Sequence, residues 1–415
     1  MTNPKLVKRI ITCQGSIQLV TALSVLSYRQ KEQHQLNIEY QDYLIIYDLY
    51  TPPGQIDKFA EFVKKMAQLV HKWEVINHIN PEQIDAISNK LDSCSPRKIY
   101  DMVHELVGTK SADEIYLCRN WQFGNQLLIN TYKSAEKICY GDSIGIYFSS
   151  NAHGLFPAST PAKLHFVSYT KNKIKAVISK VKEKLQLKTS LKTINFDIGY
   201  FVLPDILGEL PPMNHITLDK SQILENFNKC KGLLDVNYIQ QFQESIANFP
   251  VSILLTSNFS EASKMSEEDE ITGYRQCLLN QHIEPNTILV IKPHPRDSNI
   301  KIKMLQSTLA DLFSDILVLS EPHLFFLPFE ILFAQVFIES DMSVRNNIKV
   351  LTFSSACLSL KLLFNVTCIV GFGDHITTNI FSEDYMLGRL KHEQYLRAAM
   401  KILENENERI QIAAG

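Results

Sequence analysis

Short apolar runs rich in β-branched residues recur along this chain, each closed by a polar turn and followed by residues with helical spacing. That alternation is restrictive. A run that is apolar on both faces must be covered on both, and strand, covering helix and further strand together build a parallel sheet. In the first half, Arg9-Ile10-Ile11-Thr12-Cys13 passes through Gln14-Gly15-Ser16 into an apolar helical pattern from Ile17 to Leu26. Tyr43-Leu44-Ile45-Ile46-Tyr47-Asp48 precedes a helix around Ile56 to Val70, and further strands are expected at Glu114 to Cys118 and Lys137 to Tyr140.

The second half shows the scheme more clearly. Strands are expected at Val251 to Thr256, Thr287 to Ile291, Ile316 to Leu319, Val336 to Ile338, Val350 to Phe353 and Cys368 to Val370, with an acidic helix from about Glu267. Between the halves lie a Lys-rich amphipathic stretch, about Lys171 to Lys192, and a weakly periodic region holding Pro204, Pro211 and Pro212. A chain of 415 residues exceeds one ordinary core, which favours two domains joined in this region. The expected organisation is α/β: one Rossmann-like domain over 1–188, a second over 189–392, and a C-terminal helix over 393–415 with Tyr395, Ala398, Ile402 and Leu403 at helical spacing.

Composition removes several function classes. A formal net charge of −2 offers no broad attraction for nucleic acid. The eight cysteines are scattered, with no CxxC pair and no Cys/His spacing for zinc, and they read as small core residues in a reducing, cytoplasmic compartment. Met1-Thr2-Asn3-Pro4-Lys5 leads directly to a strand, without the pattern of a signal peptide. The stretches Leu19 to Tyr28 and Leu324 to Ile338 are too short or too interrupted for a membrane span of roughly 20 residues. Peripheral attachment at the inner face of a membrane stays open, although the polar face of the C-terminal helix carries as many acids as bases.

Candidate chemistry sits where strands end, because ligands of open α/β sheets bind outside the carboxyl ends of the strands. Ile291-Lys292-Pro293-His294-Pro295-Arg296 follows a buried-looking strand; Pro293 and Pro295 restrain the backbone around His294, and Lys292 and Arg296 offer cationic donors for phosphate. A rigid loop with a surface histidine would read the same. Thr352-Phe353-Ser354-Ser355-Ala356 ends another strand and opens an apolar helix, so hydroxyls and free N–H groups could hold phosphate, or the serines could simply cap. Glu330, after Pro328-Phe329, could accept hydrogen bonds from ribose hydroxyls or serve as a first-turn acid. In the first half, Asp142 within Tyr140-Gly141-Asp142-Ser143-Ile144-Gly145 is a candidate general base, and an Asx turn is the alternative. Arg119-Asn120-Trp121-Gln122 forms a polar turn in which Asn120 could bind, and Trp121 stack on, an acceptor sugar; core packing accounts for the ring equally well.

In their order, the His294-Pro295 pair, Ser354-Ser355 and the acid-and-glycine turn at Asp142 resemble the HP, SS and D/E-D/E-G motifs of bacterial sialyltransferases, especially the capsular polysialyltransferase-like group. The resemblance runs from the Gln14-Gly15-Ser16-Ile17-Gln18 turn to the SS site. It departs at the acid motif, where Gly141-Asp142-Ser143 has one acid and Gly145 is displaced. The family implies a GT-B fold, with two Rossmann-like domains facing a central cleft, the N-terminal one holding the acceptor and the C-terminal one holding CMP. Carried over, His294 contacts the departing phosphate, Ser354 and Ser355 hold its oxygens, Glu330 takes the ribose and Asp142 is the base.

The reaction so implied is an inverting transfer of sialic acid from a CMP-activated donor to a glycan acceptor in surface or capsular polysaccharide synthesis. The chain holds no DxD sequence, so we expect the transfer to need neither metal nor cofactor. The donor's carboxylate would meet the turn carrying Gln14, Ser16 and Gln18. Kdo or another nonulosonic acid as the sugar, a nucleotide-diphosphate-sugar donor, and an inactive sugar-binding scaffold are the competing readings.

Overall fold

The computed structural model describes residues 4–33, 37–49, 51–52, 54–147, 188–207, 210–341 and 343–414, with side chains described as far as 405. Most of the Lys-rich stretch around 171–192 lies outside the described residues. Strands β1 (Lys5–Cys13), β2 (Ile38–Ile46), β3 (Val75–His78), β4 (Glu114–Leu117), β5 (Glu136–Cys139), β6 (Ile198–Phe201) and β7 (Asn214–Thr217) form a seven-stranded sheet in the order β3-β2-β1-β4-β5-β6-β7. Every pair is parallel. A second parallel sheet joins β8 (Val251–Leu255), β9 (Ile288–Lys292), β10 (Asp315–Val318), β11 (Ile348–Thr352) and β12 (Cys368–Val370) in the order β10-β9-β8-β11-β12.

The central strands are buried on both faces, as their unbroken apolar runs require: Ile10, Ile11, Cys13, Leu44, Ile45, Ile46, Leu289, Val290 and Ile291 are all inaccessible. Register is pinned by charge. Arg9 on β1 lies opposite Asp42 on β2, and its guanidinium grips that carboxylate through Nε and Nη2, both at 2.6 Å. The two domains share an apolar core in which Phe59 stacks on Phe326 at 4.6 Å, and the helix Lys220–Cys230 of the connection packs on α1 (Ser16–Glu32). In both sheets the strand order reverses beside the first strand, between β1 and β4 and between β8 and β11. The turns after these strands therefore open into one crevice, the GT-B arrangement of two facing Rossmann-like domains.

Three expectations change. The first sheet continues past residue 188 through β6 and β7, so the junction lies beyond Thr217; β7 is a largely exposed edge strand, Asn214-His215-Ile216-Thr217, with no apolar run to betray it. Val336 to Ile338 is not a strand: the helix Phe329–Val336 ends there, Ile338 makes only an isolated bridge to Val344, and Val336 and Phe337 are apolar because they pack into the shared core. The C-terminal helix starts at Glu383, and its buried face is Leu396, Ala399, Met400 and Leu403, whereas Tyr395 and Ile402 are 42% and 48% exposed. Among the described residues no helix is long and apolar enough to cross a membrane.

Candidate functional site

The crevice between the sheets encloses about 700 Å³ and is lined by the turns after β1, β2, β4 and β5 on one wall and β8, β9 and β11 on the other. That volume suits a nucleotide-sized ligand. On the second wall, His294 follows β9. Its backbone N–H donates to Thr256 Oγ1 at 2.7 Å and to Asp297 Oδ2 at 2.8 Å, and the Arg296 N–H donates to His294 Nδ1 at 3.2 Å. A ring nitrogen that accepts from a backbone N–H carries no proton, so the neutral imidazole holds its hydrogen on Nε2. Burial, reinforced by Arg296, Lys301 and Lys292, keeps this histidine well below 6.5. His294 thus offers a single N–H donor without bringing a charge.

Beneath the loop, the Lys301 ammonium lies 2.8 Å from Glu270, 2.9 Å from Asp297 and 3.0 Å from Glu261. Three carboxylates outweigh burial and raise the lysine above its ordinary value. This buried cluster fixes the 293–297 turn from behind. Lys292 departs from the sequence reading. It is buried, its Nζ donates to Phe325 O at 2.6 Å, and burial lowers it to about 7 against the pull of Asp297 and Glu330. Lys292 is thus drawn into the core, where its amine ties down the neighbouring loop through Phe325 O.

At the end of β11, Ser354 and Ser355 precede the helix Ala356–Phe364. Ser355 occupies the N-cap position at φ −62° and ψ −3° and makes no side-chain cap bond, while Ser354 Oγ accepts from Ala356 N at a long 3.4 Å. The capping alternative is therefore barely used, and Ser354, Ser355 and Ala356 line the crevice together. Glu330 reaches the same wall; burial raises its pKa, opposed by a hydrogen bond from Ser359 Oγ and by Lys292. Pro295 and Arg296 line the wall beside His294.

On the first wall, Asp142 sits in a turn that only this sequence geometry permits. Gly141 has φ +74°, and a Cβ there would lie 2.8 Å from Ile146 O. The family's first acid therefore has no room in this turn as built. Asp142 pairs with Arg119 at 2.9 Å and accepts from Gln18 Nε2. Gln18 in turn accepts from Gln14 N at 2.8 Å, and Gln14 Nε2 donates to Gln122 Oε1 at 2.6 Å and Asp48 Oδ2 at 3.2 Å. Gln14 and Gln18 thus hold the two acids rather than presenting free donors. Ser16 gives its only proton to Phe326 O, at 2.6 Å across the domains, which leaves acceptor capacity that a carboxylate cannot use. Asn120 is outside the crevice lining: its side chain donates to Ile194 O at 3.2 Å, while Trp121 does line it, under the Arg119 guanidinium at 5.1 Å.

The sequence reading missed Asp48, Arg119, Lys264 and Arg389, all of which line the crevice. Asp48 ends the run after β2, so the strand-end rule alone would have marked it. Its backbone is left-handed at φ 49°, and burial raises its carboxyl above the ordinary range against the pull of Arg119 and Gln14. Arg389 lies in the second turn of the helix Glu383–Ala414 and has no local signal.

The family model described as alpha-2,8-polysialyltransferase (POLYST) matches residues 9–369. No curated protein is significantly similar in sequence. Solved structures with related folds include UDP-GlcNAc 2-epimerase from Neisseria meningitidis bound to UDP-GlcNAc, at 11% identity over 97% of this chain and 100% of that one, TM-score 0.43. They also include S. aureus MnaA with UDP, at 11% identity over 88% and 78% of the two chains, TM-score 0.41.

Proposed function

This chain belongs to the alpha-2,8-polysialyltransferase family, and on that premise we propose that it transfers sialic acid from a CMP-activated donor to a glycan acceptor, with inversion and without a metal. One observation carries the proposal: His294, the serines at the start of a helix and Glu330 share one wall of a crevice whose other wall carries Asp142 and Asp48. In this reading His294 Nε2–H, the Ser354 and Ser355 hydroxyls and the helix amides receive the donor phosphate. Glu330 receives the ribose. As the acceptor hydroxyl attacks the anomeric carbon, the bond to the phosphate oxygen breaks, CMP departs with the electron pair and an acid on the first wall takes the hydroxyl proton. Donors already aimed at the phosphate stabilise the charge that develops there without reorganisation.

Asp142 is the base carried over from the family motif. Asp48 is a second candidate, favoured by its raised carboxyl in the same wall, whereas Asp142 is engaged by both Arg119 and Gln18. We further propose that the chain acts peripherally at the cytoplasmic face of a membrane, on a capsular or surface polysaccharide, as membership of the family suggests. The test is CMP release and product length when the chain is given CMP-sialic acid and an α-2,8-linked sialic acid oligomer. The base should lose at least about 100-fold in kcat on changing Asp to Asn, as general-base removal does, and the other acid should lose far less. No CMP release in the native protein would end the transferase reading.

A further inference from the structure

The first turns of the helix Glu383–Ala414 return to the crevice beside the Ser354-Ser355 turn, bringing a cation that the reaction above does not use. Arg389 is only 6% exposed. Its Nε donates to Glu393 at 2.8 Å and its Nη1 to the carbonyl of Phe353, the residue before Ser354, at 2.9 Å, while the buried Nη2 has no hydrogen-bond partner among the described residues. The guanidinium lies 4.6 Å from the Phe259 ring centre, and the half-buried Lys264 ammonium lies 5.9 Å from the same ring. Two cations against one phenyl ring repel each other, and burial together with Arg389 and Arg296 pushes Lys264 down to about 8.

The one carboxylate at hand does not relieve this. Glu393 already receives Phe372 N at 3.0 Å, Gly373 N at 3.1 Å, Arg389 Nε at 2.8 Å and Arg397 Nη1 at 3.2 Å, so its single charge is shared between two arginines. Glu393 is also packed closely on Gly371, where a Cβ would lie 2.1 Å from its carboxyl carbon, and it does not line the crevice. A buried guanidinium that keeps one N–H without a partner among the described residues, in the lining of a ligand crevice and next to a second cation, suits an oxyanion that the protein itself does not provide.

We propose that Arg389 and Lys264 form a second oxyanion subsite, next to the phosphate site at His294 and the serines, which receives a further anionic group of the donor. This rests on reading the crevice as a nucleotide-sugar site. Two donor groups share the required chemistry, the carboxylate of an acidic sugar and a second phosphoryl group, and CMP has neither.

The experiment is calorimetry on the full chain with CMP, CDP and CMP-sialic acid, using the native protein, Arg389→Gln, Arg389→Lys and Lys264→Gln. The native chain should bind at least one of the two larger ligands tighter than CMP by about ten-fold or more, the scale of a hydrogen bond to a charged group. Arg389→Gln and Lys264→Gln should erase that margin while CMP affinity changes less than about three-fold, and Arg389→Lys should keep part of it. A margin for CMP-sialic acid alone identifies the carboxylate; a margin for CDP alone identifies the second phosphoryl group. Equal weakening of all three ligands in Arg389→Gln with no effect of Lys264→Gln would make Arg389 a helix anchor and overturn the subsite. Should Arg389→Gln fail to fold, Lys264→Gln decides by the same margin. If the native chain binds no cytidine nucleotide, the transferase reading fails separately, and thermal stabilisation by pyrophosphate then tests the subsite: its loss in Lys264→Gln supports it, and its absence or persistence overturns it.

Discussion

Replacing Lys292 with methionine tests whether the HP loop presents a cation or hides one. The ammonium falls from 10.5 in the unfolded chain to about 7 in the fold. Between those values the unfolded state binds a proton that the native state refuses, so stability rises with pH across the window. The full cost is felt below pH 7 and vanishes above 10.5. For one such group the cost is about 4 kcal/mol at pH 7 and falls by about 1–2 kcal/mol on going to pH 8.5. Because Lys292 is 7% exposed, solvent screening should not erase the effect. Urea unfolding of the native chain and Lys292→Met at both pH values isolates it, since all other titrations are common to the pair. The native protein should gain about 1–2 kcal/mol more than the mutant between pH 7 and 8.5. Parallel behaviour, with a difference under about 0.5 kcal/mol, would mean that Lys292 keeps its charge in the fold and would restore it as a phosphate ligand.

The His294 imidazole carries the same kind of signature in a lower window. Its pKa is held well below 6.5, so the stability it contributes is complete above 6.5 and is lost as pH falls, at up to about 1.4 kcal/mol per unit, until the folded-state pKa is reached. His294→Phe should flatten the unfolding curve between pH 6.5 and 5.5 relative to native, and unchanged slopes would contradict the buried neutral ring. Gly141→Ala should destabilise by about 1–3 kcal/mol through its left-handed φ and the close Ile146 carbonyl, measured by thermal unfolding. A stability within about 0.5 kcal/mol of native would show that the Asp142 turn can rearrange. The Asp142→Asn and Asp48→Asn pair should split in kcat, one losing about 100-fold or more; equal small losses would remove both acids from the proton transfer.

How much was legible in the sequence follows from which signals are local. Strand-then-helix alternation located the sheets because β1, β2, β8, β9 and β11 are buried on both faces and read as unbroken apolar runs. The edge strand β7 carries no such run, and the junction was placed too early in consequence. Strand-end logic gathered His294, Ser354, Ser355 and Asp142 into one crevice, because doubly wound sheets bring their carboxyl ends to a common edge, and Glu330, read from the start of a helix, lines it too. Residue type could not reveal that Lys292 gives its ammonium to Phe325 O, that Ser16 gives its proton to Phe326 O, or that Asn120 turns away to Ile194 O. Each partner lies on another element, far along the chain. Arg389 was invisible for the same reason, since only folding brings the C-terminal helix to Phe353.

The most direct test of the central claim is calorimetric titration of the native chain and of His294→Ala with CMP, UDP and GDP, without added metal. CMP should bind in preference to the others, and its affinity should fall by about ten-fold or more in His294→Ala, the scale of a lost hydrogen bond to a charged group. Preference for UDP or GDP, or CMP binding that is indifferent to His294, would contradict that claim.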